Sequence, residues 1–222
     1  MIAHRQSDRS PADDVFGAPF AVPDGATLFR KGDRMRSVFS VVSGAILLVA
    51  SGQGDDGLVA VRAAGRLVGA APAIDGRRTH LATAVTLGPS ELRQVSVEEF
   101  LASRARHPAV GLWTGDLLAA EAMDQFHWLA AVGTADLRTR LLHVLAALFQ
   151  AGSTERRDGS LRLSLGMTRT RLARLVSAER ESVVRLFAKF ESEHVIVRKD
   201  GWLIVPTDSP LRAIISTEQG HQ

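Results

Sequence analysis

The residues best equipped for chemistry are Arg180, Glu181, Arg185 and Lys189, which fall on one side of a segment with helical periodicity. Val183, Leu186, Phe187 and Phe190 recur on the other side, so this helix has an apolar stripe to bury and a charged face to leave in water. A guanidinium donates paired hydrogen bonds that fit O6 and N7 of guanine, and a carboxylate accepts from the amino group of cytosine. Arg180, Glu181 and Arg185 are therefore candidates to read base edges in a DNA major groove. Lys189 sits further along and is placed to meet phosphate, as are Thr168, Arg169 and Arg171 upstream. On charge alone, the plainer alternative is a solvated helix face.

Such a face needs elements that hold it outward. Thr168 can cap a short helix that buries Leu172, Leu175 and Val176, and a turn at Ser177-Ala178 leads into a second helix over 179–191. Two short helices joined by a tight turn make a helix-turn-helix. After them, 195–198 and 202–205 read as strands joined by Asp200-Gly201, a favoured hairpin dipeptide, which gives the pair a wing. A strand is expected at 161–165, before the first helix. The charge follows the same division. Residues 1–133 carry 13 Lys and Arg against 14 Asp and Glu, a net of −1, and residues 134–222 carry 14 against 10, a net of +4. A basic segment inside a nearly neutral chain is the electrostatic footprint of a nucleic-acid reader.

Upstream the pattern is different. The first twenty residues mix charge, Pro and Gly and are expected to form a flexible arm. Short β-branched and apolar runs at 38–42, 45–50, 58–62, 81–87 and 91–97, separated by Gly and Asp, predict a compact antiparallel roll over 21–108. A short helix over 97–106 stops near Pro108. A long one over 109–132 follows, apolar on more than one face, so it must bury more than one side: one against the roll, the other against a second copy of itself. Gly133-Thr134 is expected to break it, with Thr134 capping a helix over 135–150. The last unit then spans 134–222.

Several function classes have nothing to stand on. With 0 cysteines in 222 residues, disulfides, iron–sulfur clusters and cysteine-bound zinc are excluded, and a cytoplasmic location is the default. The seven His have no ligand spacing, so no metal site is expected, and no constellation of catalytic residues supports an enzyme. Gly52, Gly54 and Gly57 match a dinucleotide-binding fingerprint, but 58–61 reads as a strand where that motif needs a helix, which favours a hairpin turn. No apolar run approaches the ~20 residues of a membrane helix, and the polar start has no secretory signature.

From Gly25 to Asp33 the chain reads Gly-Ala-Thr-Leu-Phe-Arg-Lys-Gly-Asp, followed by Phe39-Ser40-Val41-Val42-Ser43-Gly44. This resembles the β-roll signature of the Crp-Fnr family of bacterial transcription regulators. Arg180-Glu181-Ser182-Val183-Val184-Arg185 likewise resembles that family's recognition-helix motif. The resemblance covers roughly residues 20–206. It implies an α+β architecture of N-terminal β-roll, long dimerisation helix over 109–132 and C-terminal winged helix-turn-helix. It also implies a homodimer on a palindromic operator, and a contact with RNA polymerase from the loop at 152–159.

The departures from the family pattern bear on the effector. Where cyclic-AMP binders carry Gly-Glu and then Arg-Ser, this chain has Gly69-Ala70 and His80-Leu81, and Gln125-Phe126 replaces the hydroxyl pair of the long helix. A cyclic phosphate buried without its Arg would be an unpaired charge, so cyclic AMP is not expected to bind in the usual way. Haem through His80 is not favoured either, because a lone His is more often a core or surface residue. The expected pocket is lined by Gly69, Ala70, Ala71, Ile74, His80, Leu81, Gln125 and Phe126, and suits a small apolar effector or none. The competing reading is a protein-interaction module that works through the roll, with the C-terminal helices as scaffold.

Overall fold

The computed structural model describes residues 11–51, 56–164, 170, 172–173, 176 and 178–219. The roll is an antiparallel sheet in the order β1-β6-β3-β4, formed by β1 (Phe20–Val22), β3 (Ser37–Ser51), β4 (Asp56–Ala63) and β6 (Thr83–Ser96). Two further strands extend it: β2 (Thr27–Phe29) pairs with β6, and β5 (Leu67–Val68) pairs with β3. The strands expected separately at 38–42 and 45–50 are one, β3, and those expected at 81–87 and 91–97 are one, β6. Gly44 is the reason. Its φ of 80° absorbs a register shift within the β3–β6 ladder instead of ending the strand. A Cβ there would lie 2.8 Å from the carbonyl oxygen of Pro89 on the partner strand, so glycine is required. The turn at Gly52 to Gly57 falls mostly outside the described residues, but the antiparallel pair β3–β4 on either side of it is the expected hairpin.

Part of the segment expected as an arm, 1–20, is structured. Residues 11–15 form helix α1 (Pro11–Val15), and Val15 and Phe16 are buried, with the Phe16 ring 6.2 Å from that of Phe100. Ala12, Val15 and Phe16 supply an apolar face over one helical turn, and Asp13 ties it to the roll through Arg93. Helix α2 (Ala70–Ile74) follows β5, with Gly69 before it in the left-handed region. Helix α3 (Val97–Arg106) is capped by Ser96, whose hydroxyl accepts from the Glu99 N–H. Helix α4 (Pro108–Thr134) then runs 27 residues.

Thr134 ends α4 and is not the cap of the next helix. That role belongs to Asp136, which accepts from the Thr139 N–H at 2.8 Å and starts α5 (Leu137–Gly152). A carboxylate two residues further on satisfies the orphan donors and suits the positive end of the helix dipole.

The C-terminal unit adds a sheet in the order β7-β8-β10-β9, from β7 (Thr154–Glu155), β8 (Leu161–Ser164), β9 (Val197–Lys199) and β10 (Trp202–Val205). It also contains α6 (Arg180–Ser192) and α7 (Pro210–Gln219). The wing turn is as the dipeptide predicts: Asp200 and Gly201 have φ of 51° and 80°. No element was expected at α7, although Ser209-Pro210 is a start signal, the Ser209 hydroxyl accepting from the Leu211 N–H.

One apolar core joins the two halves. Ala45, Leu47, Val49 and Leu87 of the roll share it with Leu141, Val144, Leu145, Leu148 and Phe149 of α5, and it continues to Val183, Phe187 and Phe190 of α6. Helix α5 thus packs on the roll with one side and on β8 and α7 with the other, while its first turn meets α6.

Candidate nucleic-acid interface

Helix α6 inserts Val183, Phe187 and Phe190 into that core, which turns Arg180, Glu181, Arg185 and Lys189 to solvent. The side chains of Arg180 and Glu181 are 62% and 71% exposed and their charged atoms lie 3.9 Å apart, a contact that water and a base edge can readily replace. Glu181, Arg185 and Lys189 follow at intervals of four and form one row along the helix. Arg185 donates to the Ser182 hydroxyl at 3.4 Å, and Lys189 faces Glu193 at 3.8 Å.

Glu179 occupies the position before the helix without a side-chain cap, so its carboxylate is free of the α6 N-terminus. Thr168, Arg169 and Arg171 lie outside the described residues, as do Leu175 and Ser177 of the expected first helix and turn. Thr170, Leu172 and Ala173 are helical, Val176 is in a turn, and Leu172, Ala173 and Val176 are buried.

Sequence reasoning missed what flanks this face. Asp136, Leu137 and Arg138 at the start of α5 form a groove of about 400 Å³ with Ser182, Arg185, Leu186 and Lys189. Arg138 pairs with Glu193 at 2.7 Å, and its guanidinium lies 5.0 Å from the centre of the Phe190 ring. On the wing, Arg198 grips Glu191 through both carboxylate oxygens, so the wing is tied to the end of α6. Across the same sheet, Arg162 stacks over Trp202 at 4.6 Å. Helix-start basic residues such as Arg138 were legible only as charge, because their proximity to α6 is set by the tertiary fold.

The residues expected to line an effector pocket do not converge. Ala70 is buried at 2% exposure in the core beneath α3 and α4, whereas Leu81 and Phe126 are 52% and 64% exposed. Gly69 approaches His80: a Cβ added to it would lie 3.8 Å from His80 Cε1. His80 alone of the eight lines a cavity of about 420 Å³, bounded by Leu28, Phe29, Asp33, Arg34, Arg36, Ser37, Phe39 and Gln94.

Burial holds the His80 imidazole below its ordinary pKa, and Asp33 opposes this only in part. A depressed imidazole favours folding above its unfolded pKa of about 6.5, and that contribution is lost as pH falls below it. Thermal unfolding between pH 7.5 and 5 should therefore show a stability loss that is reduced in His80→Phe. An identical pH slope in that variant would assign the loss to other groups.

A different contact joins the roll to α4. Arg62 of β4 meets Glu121 at 3.0 Å, the two side chains 13% and 7% exposed, and Arg66 meets Asp124 at 3.3 Å. Burial pushes the Arg62 pKa down and the Glu121 pKa up, in each case against the attraction of the partner. Among the described residues Glu121 Oε1 has no hydrogen-bond partner. Among the described residues no group of His, Asp or Glu is arranged to hold a metal ion, and no helix is long and apolar enough to cross a membrane.

Residues 19–107 match the cyclic nucleotide-binding domain model, and residues 139–213 match the Crp-like helix-turn-helix domain model. No curated protein matches the chain in sequence at a significant level. The fold is similar to that of the c-di-GMP-responsive global regulator CLP of Xanthomonas campestris, with a TM-score of 0.69 at 20% identity over 87% of this chain and 95% of that one. It is also similar to a CRP-family transcriptional regulator of Thermus thermophilus, TTHB099, at 0.70 and 17% over 89% and 96%. FixK2 of Bradyrhizobium japonicum gives 0.70 and 14% over 90% and 96%.

Proposed function

We propose that this chain, which belongs to the Crp-Fnr family of transcription regulators, works in the cytoplasm as a homodimer that reads a palindromic operator with Arg180, Glu181 and Arg185. The observation that carries this is the division of α6 into a buried apolar stripe and an exposed row of charge. Lys189, Thr168, Arg169 and Arg171 supply phosphate contacts, and Arg138 stands beside them. Residues 152–159, exposed at 154–158, are the surface offered to RNA polymerase.

A twofold assembly would set the two recognition helices about 34 Å apart, one turn of DNA. Its interface is α4, where Leu112, Ala119 and Phe126 recur every seven residues, with Leu112 70% exposed. Small residues at Gly115, Ala119 and Ala122 allow two such helices to approach closely. Leu112→Glu combined with Phe126→Glu is expected to convert the dimer to monomer in sedimentation experiments. A dimer that survives both substitutions would place the interface elsewhere.

In this reading the β-roll modulates DNA binding without the usual cyclic-AMP contacts. Ala70 supplies no carboxylate for the ribose, and His80 no permanent charge for the phosphate. Selection of bound sequences from a random duplex pool tests the operator reading directly. On the selected site Arg180→Ala should weaken binding by ~1–3 kcal/mol and relax specificity at one position of each half-site. Weak binding that ignores sequence and vanishes in moderate salt would instead favour a protein-interaction module built on the roll.

A further inference from the structure

We infer that the cavity beside His80 is a binding site for a small aromatic monoanion, held by Arg34 and Arg36 against the stacked rings of Phe29 and His80. This deepens the effector part of the proposal above by naming a ligand class, and it does not depend on the DNA-reading part.

The volume of about 420 Å³ lies within the ~300–1,000 Å³ of small-molecule sites. One wall is aromatic. Phe29 and His80 lie face to face with centroids 3.5 Å apart and planes 7° off parallel, and Phe39 continues the stack 6.3 Å from Phe29. Such a surface offers a planar ligand dispersion contact and an offset stacking partner.

Charge sets the sign of the ligand. Arg34 and Arg36 are exposed, and neither makes an ion pair or side-chain hydrogen bond among the described residues. Asp33 is the one carboxylate in the lining among the described residues, and its Oδ2 already accepts the Arg30 N–H at 2.8 Å. With His80 neutral, two guanidinium groups against one carboxylate leave a net single positive charge, which a monoanion would cancel. Guanidinium forks suit a planar carboxylate in particular, because two parallel N–H bonds match its two oxygens. Ser37 and Gln94, joined at 2.6 Å, complete the lining with polar groups whose orientation is already fixed.

The test is an NMR titration of the full-length protein that follows the His80 ring resonance, assigned by its loss in His80→Phe. The probes are benzoate, benzamide and acetate, which separate ring from charge. Benzoate should shift the resonance saturably, with a midpoint about tenfold below that of either other probe, and Arg34→Gln and Arg36→Gln should each raise that midpoint about tenfold at unchanged Tm. The inference is overturned if benzamide matches benzoate, if both Arg variants bind benzoate as the parent does, or if no probe moves the resonance. Because the readout is the ring itself, a failure of operator recognition would leave the result intact, and the reverse also holds.

Discussion

Phe149→Ala is expected to destabilise the protein by about 3–5 kcal/mol, the usual cost of emptying a fully buried aromatic position. The position is severe because α5 has no spare side: its buried residues pack on the roll in one direction and on β8 and α7 in the other. Relaxation that closed the hole would have to move one of those partners. Urea unfolding at fixed protomer concentration measures the loss. Trp113, packed beside the core under α3 and α4, and Trp202, on the wing sheet, report the two halves. With a shared core their transitions should coincide in the parent protein. Two separated transitions would show that the apolar continuity carries little coupling energy.

Removing one member of the buried ion pair should be as costly. Arg62→Ala leaves the Glu121 carboxylate buried, with its backbone partner at Leu67 but without its cation, and a broken buried pair typically costs about 3–5 kcal/mol. The opposite result is expected when both charges go together. The Arg62 and Glu121 pKa shifts are each led by burial, so desolvation outweighs the attraction between the two groups. Arg62→Met combined with Glu121→Leu should thus be neutral or stabilising by about 1–4 kcal/mol.

Acid gives an independent check. Because the folded pKa of Glu121 is raised, its contribution favours folding below the ordinary carboxylate range and is lost as pH rises through the folded value. The deficit of Arg62→Ala should therefore shrink as the pH is lowered toward about 4, where Glu121 is protonated. A deficit that is the same at both ends of the range, about pH 4 and about pH 7.5, would mean that lost packing, and not the stranded carboxylate, accounts for the effect.

What the sequence revealed and what it hid follow from the range of each interaction. The recognition helix was legible because Val183, Phe187 and Phe190 repeat with the period of the helix they stabilise. The wing turn was legible because Asp-Gly favours the conformation it adopts. Gly44 misled, since a glycine between apolar runs reads as a chain reversal, whereas here its partner strand crosses too closely for any Cβ. The choice between Thr134 and Asp136 as a cap depended on where α4 ends, and packing decides that. Long-range pairs left no local trace: Arg62 and Glu121 are on different elements, and nothing in either neighbourhood announces the other. The polar cavity was hidden for the same reason. His80 was legible as a departure from the family pattern, but Arg34 and Arg36 meet it only after β2, β3 and β6 have assembled.

The apolar continuity through α5 also limits how evolution or engineering can recombine this protein. A cut at Gly133 would sever a continuous core and leave the α5 side chains that met Ala45, Leu47, Val49 and Leu87 facing water. Grafting this reader onto a foreign sensor would require the recipient's strands to present matching small and branched residues at those four places. Without them the hybrid would gain a sticky flank, and its first symptom would be self-association instead of altered regulation.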